Sequence, residues 1–373
     1  MINRRKQDVN SNKLNSEQNN HAHEHHHKEK TILNKSEYIH KQRNSIIFLV
    51  VLAVILVVVF LLSLRAGSYD TPVAELVKGV FGQAGDNKIN LVIQNNRLPR
   101  ILTSIVAGAG LGLSGCLLQI VLHNPLASSS TLGVSQGATF GAAVAIIALG
   151  ATGALAWMVP IFSLVGSIIV AIVILCLSKF KQVSSEGIVL AGVAISAMLT
   201  GGTTLLQYFA DEVALNTLVY WTFGDLGNTG YKEIAIMAVL VIALFLYSLF
   251  HRWDYNALLS GDETATSLGI NVKRLTLTNM VFACVVCSFI VSNVGLVNFI
   301  GLIAPHIVKK FVGNNHVFLI PASLMAGSII LLVSDLISRT VIMPIILPIG
   351  ALTSFLGGPV FLYLLFKGRK ATC

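Results

Sequence analysis

The chain has 373 residues, 54% of them hydrophobic and only 12% charged, with a mean hydropathy of +0.75. A soluble domain of this size cannot hide that much apolar surface, so lipid is the expected solvent. The formal charge of +9 marks no nucleic-acid site: residues 1–43 hold nine Lys/Arg against five acids, the rest is spread over loops, and no basic face carries interleaved aromatics.

Residues 1–43 read as a polar, His-rich cytoplasmic tail that lacks the hydrophobicity to fold alone. It is too long to be the basic region of a signal peptide. The imidazoles of its run HAHEHHHKEK (His21–Lys30) are general ligands for Zn, Ni or Cu, but a disordered tail or an added tag accounts for them without a metal site.

A helix needs about 20 apolar residues to cross the hydrocarbon. Ten runs qualify: 45–64, 98–122, 126–148, 154–178, 187–209, 232–250, 274–292, 295–313, 317–336 and 346–366. An even number puts both termini on one side. With the N-terminus inside, 19 Lys/Arg fall inside, among them Lys179, Lys181, Lys309 and Lys310, and 7 outside. The positive-inside rule therefore sets both termini in the cytoplasm. The expected fold is an all-α polytopic membrane protein, with its transmembrane domain over residues 44–370.

Two segments between spans have helical signals of their own. Outside, TPVAELVKGVF puts Thr71 at an N-cap and Pro72 at the first helical position, with Val73, Leu76, Val77, Val80 and Phe81 on one face. That reads as a short helix on the membrane surface. Inside, the longest loop, 251–273, contains LLSGDETATSLGI. Ser260 with Glu263 reads as a capping box, and Gly269 suits a left-handed helix end. Leu258, Leu259, Ala265 and Leu268 give this helix an apolar side, which reads as a docking element.

The interior is short of charge. The central parts of all ten spans hold no Asp, Glu, Lys or Arg, and His306 is the ionisable exception. A gradient-driven carrier should place acids or broken ion-binding helices at its midplane. A phosphate-binding GxxxxGK[ST] loop is missing as well, so uphill transport requires a partner that supplies energy. Four of the five cysteines (Cys116, Cys176, Cys284 and Cys287, not Cys373) lie in apolar runs, and the Cys284/Cys287 pair reads as packing, not as a redox or zinc motif. Asn124-Pro125 breaks the chain after the second span. Pro305-His306 bends the eighth, where the ring of His306 is expected to bond a freed carbonyl. Glycines in AGAGLGLSG (Ala107–Gly115) permit close helix approach.

Arg97–Ala138 (RLPRILTSIVAGAGLGLSGCLLQIVLHNPLASSSTLGVSQGA) and Val294–Thr340 (VGLVNFIGLIAPHIVKKFVGNNHVFLIPASLMAGSIILLVSDLISRT) resemble the FecCD-type permeases, as do LAGVAI and the closing LPIGALTSFLGGPVFLYLLFK. Those are membrane subunits of ABC importers for iron-siderophores, haem and cobalamin. The resemblance implies ten helices, as in the cobalamin-importer permease, placed in a bacterial cell membrane. It also implies a second permease copy or paralogue, two ATPase subunits that bind ATP and Mg²⁺, and a lipoprotein or periplasmic binding protein outside. No cofactor or metal is expected in this chain, and its role is transport without catalysis.

The resemblance also assigns residues. Arg97, Arg100 and Arg339, at the outer ends of the second and ninth spans, would engage acidic residues of the binding protein. A guanidinium, a forked and always-charged donor, suits a carboxylate there; without the resemblance, anchoring of helix ends at the interface is the preferred reading. Ser260, Gly261, Asp262, Glu263, Ala265, Leu268 and Gly269 would form the helix that couples to the ATPase. Ser184 and Ser185 would sit at a cytoplasmic gate, although Glu186 departs from the family pattern and ordinary N-capping explains a serine there too. The ligand stays open among siderophore, haem and cobalamin. A gradient-driven carrier, a membrane enzyme and a zinc-type permease are the competing classes, the last supported only by the His-rich tail.

Overall fold

The computed structural model describes residues 39–66, 73–178, 184–342 and 344–368. The run His21–Lys30, Thr71, Pro72, Lys179, Lys181 and Cys373 lie outside the described residues. Among the described residues every regular element is helical. α1 covers Ile39–Arg65, beginning ahead of the expected boundary at 44. α2 covers Val73–Val80, α3 Asn87–Val121 and α4 Val134–Ala148. α5 is Met158–Ser178, α6 Ser185–Tyr208, α7 Glu212–Phe223 and α8 Tyr231–Phe250. The inner loop holds α9, Arg252–Leu258, and α10, Asp262–Ser267. α11 (Val272–Val294), α12 (Ile300–Val312), α13 (His316–Thr340) and α14 (Ile349–Gly368) complete the series.

Seven of the described helices, α1, α3, α5, α6, α8, α11 and α13, are long and apolar enough to cross a membrane. α4 and α14 are shorter apolar helices, and α12 has 13 residues. Each of the ten expected spans thus contains a helix. At a rise of about 1.5 Å per residue, α12 reaches only about 20 Å. It is preceded by the non-helical stretch Gly295–Phe299, in which Phe299 takes the left-handed φ of 66°.

Leu49–Cys373 forms one compact unit; of the other, Met1–Phe48, the described residues Ile39–Phe48 are helical. At the centre of the larger unit is α3, packed on α8, α11, α12 and α13. Its glycines explain the intimacy of that packing. A Cβ on Gly108 would fall on the carbonyl of Gly327 in α13, and one on Gly115 on the carbonyl of Gly301 in α12. Backbone meets backbone at both places, which only a residue without a side chain allows. Around this seam Cys116, Cys284 and Cys287 are buried free thiols that fill space, as the apolar context of the pair suggested.

Two expectations are corrected. The second span does not begin at Leu98. α3 runs back to Asn87 through a π-turn at Ile93–Arg97, in which the Leu98 N–H reaches the Ile93 carbonyl. The next donor in that wider winding would be Pro99, which has none. The Gln94 carbonyl left free accepts instead from the Tyr231 hydroxyl at 2.5 Å. After the fifth span the chain holds a helix outside the expected set. α7 forms there, capped by Asp211, whose side chain accepts from the Ala214 N–H at 2.7 Å. Its 12 residues are too few to register as a span. The second correction is in the inner loop, where Ser260 forms no capping box. Gly261, at φ 100°, is the residue before α10, while the Ser260 N–H closes a turn onto Ala257. α9 and its closing turn occupy the chain up to Gly261, leaving Ser260 no room to cap.

Pro305, inside α12, follows the same accounting. The missing N–H frees the Gly301 carbonyl, and Gln119 of α3 brings its side-chain amide 3.5 Å from it. Contrary to expectation, His306 does not meet that freed carbonyl: its Nδ1 lies 3.1 Å from the carbonyl of Leu302, the next residue.

Candidate functional site

At the outer end, α2 lies against the bundle through Leu76, buried in a cluster with Leu64, Ile93, Ile101 and Leu332, while Val77 and Phe81 stay exposed. Glu75 in its first turn accepts from the Gly85 N–H at 2.9 Å and pairs with Lys78 at 3.2 Å. The amide bond first, and Lys78 second, hold the Glu75 carboxyl below its usual range.

Two of the three outer arginines meet on a carboxylate that the sequence reading passed over. Asp335 of α13 is fully buried. One of its oxygens takes a hydrogen bond from Arg100 Nε at 2.6 Å, and the other lies 2.8 Å from Arg339 Nη2. The second contact is an ion pair whose angle falls short of a hydrogen bond. Arg100 also lies 3.7 Å from the more exposed Asp225, in the loop after α7. Arg97 donates to the Leu64 carbonyl at the end of α1 at 2.8 Å. Arg339 extends toward the carbonyls of Ser63 and Ala66 at 3.5 and 3.4 Å. Arg97 and Arg100 are only 7% and 8% exposed. Two guanidiniums therefore meet two carboxylates while the third, of Arg97, is held by a carbonyl, and the group ties α1, α3, α13 and the loop after α7 into one rim. The spacing of Asp335 and Arg339, one helical turn apart, was the sequence signal for half of this pairing.

At the inner end, the apolar residues of α9, α10 and the positions just after them divide between two sides. Ala265 and Leu258 are buried against the protein's own helices, whereas Leu268 is 68% exposed and Leu259 52%. Gly269 takes φ 87°, the left-handed stop its position suggested. Asp262 and Glu263 lie exposed in the first turn, where the helix dipole favours acids. α9 above it is anchored by Tyr255, whose hydroxyl donates to Asn279 of α11 at 2.7 Å. Burial pushes the Tyr255 hydroxyl pKa up, so it serves as a neutral donor.

Ser184 caps α6, its hydroxyl accepting from the Gly187 N–H at 3.1 Å. Ser185 lines a cleft of about 680 Å³ with Ser178, Asp262, Lys273 and Thr276, between the inner ends of α5, α6 and α11 and the face of α10. The two serines are thus separated by role: one ends a helix, the other faces the cleft. His306 and the buried cysteines join no metal-ligating group among the described residues.

Comparison with known proteins adds what geometry alone leaves open. A protein of Methanocaldococcus jannaschii described as an ABC transporter permease is 46% identical over 337 residues, covering 88% of this chain and 96% of that one. The Fe(3+)-citrate import system permease of Bacillus subtilis is 35% identical, covering 88% of this chain and 98% of its own. The hemin transport system permease of Yersinia pestis is 33% identical over 74% of this chain and 83% of its own. Among solved structures, a metal-chelate type ABC transporter in an inward-facing conformation matches with a TM-score of 0.75 and 28% identity, over 86% of this chain and 98% of that one. The model of the FecCD transport family matches residues 55–367, across the helices that carry both the arginine rim and the inner loop. This membrane-embedded, multi-pass transport component belongs to the FecCD transport family.

Proposed function

We propose that the chain is one of two membrane subunits of an ATP-driven importer that carries an iron(III) chelate handed over by an external binding protein. The observation that carries this reading is α10. Its inner side is buried under the protein's own helices while Leu268, with Leu259 beside it, leaves apolar surface uncovered. In a polypeptide without a phosphate-binding loop, such a helix is suited to receive force from an ATPase. Asp262 and Glu263 add charge for a basic partner, and ATP with Mg²⁺ would be bound by that partner.

α6 supports the second subunit. Its exposed face alternates Leu190, Val193, Met198 and Leu205 with Thr200, Gly201 and Thr204, and hydroxyls and glycine in mid-span suit a neighbouring helix or a wet path better than lipid. A path of weakly polar groups also suits passage without tight retention. The arginines Arg97, Arg100 and Arg339 would present the surplus positive charge of their rim to carboxylates of the binding protein. Ser185, on the inner cleft, is the better placed of the two gate candidates, with Ser184 holding the start of its helix.

The iron(III) chelate is favoured because a relative named for ferric citrate matches over nearly the whole chain. Haem is the second reading, since a relative named for hemin is almost as similar. The test is reconstitution with the ATPase and binding protein, followed by uptake of radiolabelled ferric citrate, ferric hydroxamate and hemin. Uptake should require ATP, and Leu268→Asp should lose both ATPase retention and uptake. Concentrative uptake by the permease alone on an ion gradient would refute the proposal.

A further inference from the structure

α9 is fastened to three spanning helices by polar side chains, an arrangement that loop closure does not require. Tyr255 is fully buried, and its hydroxyl bonds Asn279 of α11, whose own amide is held by the Leu275 carbonyl at 2.7 Å. Asn256 reaches α13. Its Oδ1 accepts from the His316 backbone N–H at 2.9 Å and lies 2.9 Å from that residue's Nδ1, while its amide donates to Asn315 Oδ1 at 3.1 Å. His123, just past the end of α3, takes φ 44°, a conformation uncommon for a residue with a side chain. Its Nε2 lies 3.4 Å from the Leu258 carbonyl on α9 and 3.7 Å from Asp262 on α10.

Apolar contacts alone would hold α9 in place while letting it rock, because packing is non-directional. Hydrogen bonds to three different helices fix a single orientation instead. Because α9 and α10 are joined by a short turn and pack on each other, a displacement of α10 reaches α3, α11 and α13 through these bonds.

We propose that Tyr255, Asn256 and His123 are positioning residues of the transport cycle, which carry motion between the ATPase contact at α10 and the inner ends of α3, α11 and α13. The proposal rests on the reading of α10 as the ATPase contact. Tyr255 is buried and Asn256 half-buried, so neither presents itself to the ATPase as the exposed Leu268 does, while the ring of His123 is turned onto α9 and α10. Their loss should therefore separate binding of the ATPase from its control.

The experiment uses the full permease with its ATPase in nanodiscs, with and without the binding protein. It reads ATPase retention, basal hydrolysis and the fold-stimulation of hydrolysis on adding the binding protein. Tyr255→Phe combined with Asn256→Ala should keep retention and keep basal hydrolysis within about two-fold, while stimulation falls at least about five-fold. Asn256→Asp keeps the acceptor oxygen toward His316 and should preserve most of the stimulation, an outcome a general loss of folding would not give. His123→Ala is the second variant, at the protein surface, and should lower stimulation in the same direction.

Stimulation unchanged in both the double variant and His123→Ala would overturn the proposal. So would a parallel fall of retention and stimulation, or a wild-type complex that the binding protein does not stimulate. Leu268→Asp separates the two levels: lost retention keeps the α10 reading whatever the anchors do, and normal retention removes that reading and the proposal with it.

Discussion

Replacing Asp335 by Asn removes the charge around which the outer rim is built while keeping nearly the same shape. The carboxylate is fully buried, and the side chains of Arg100 and Arg339 are each about 10% exposed. Removing one partner of such a buried pair destabilises by about 3–5 kcal/mol, because the charge left behind stays desolvated. Asparagine retains one acceptor for the Arg100 Nε hydrogen bond, so the lower end, about 3 kcal/mol, is expected. That corresponds to roughly a hundred-fold shift toward the unfolded state. Asp225 cannot take over, since it lies 3.7 Å from Arg100 and its side chain is 59% exposed. The assay is unfolding in mixed dodecylmaltoside–SDS micelles, followed by loss of helical circular dichroism. Adding Arg339→Gln to Asp335→Asn should recover more than about 1 kcal/mol relative to the sum of the single changes, because neighbours in one network do not add. A single variant within about 0.5 kcal/mol of wild type, the range of ordinary surface changes, would refute the reasoning.

Gly115→Leu should lower thermal stability strongly, by about 3 kcal/mol or more, since the new side chain collides with the backbone of Gly301. Gly358→Leu, which meets open space, should leave the melting temperature of the purified protein nearly unchanged. Glu75 predicts a pH effect confined to the outer surface. Its carboxyl is held below its normal range, so its stabilising contact is complete above the unfolded value of about 4.3 and is lost as pH falls through the lower folded value. Amide exchange at Gly85, compared at each pH between wild type and Glu75→Gln, should differ at neutral pH and converge in acid.

The spans were legible in the sequence because length and hydropathy are local properties, and a bilayer converts them directly into helices. Gly269 was legible for the same reason, since a left-handed helix end is written in one residue. The arginine rim was legible only as three positive charges. Arg100 and Asp335 are 235 residues apart, and no local pattern says that two helix ends meet. The capping-box motif at Ser260 was present in the letters but lost to α9, whose closing turn claimed that residue. The π-turn escaped notice because Pro99 alone reads as a helix start. Only the hydroxyl of Tyr231, arriving from another helix, shows where the unused carbonyl went.

The wide turn at Ile93–Arg97 has a rotational consequence. An inserted residue advances everything on one side of it by about 100° relative to ordinary winding, since 3.6 residues complete a circle. The glycine seam clamps the downstream half of α3, so the offset is felt upstream, by Asn87–Val92 and the polypeptide leading into them. Shortening the turn by one residue would swing that leading segment a quarter-circle away from Tyr231, with the guanidinium head of Arg100 below it unmoved. The bulge therefore sets the azimuth of the protein's outer collar, independently of the bundle on which it stands.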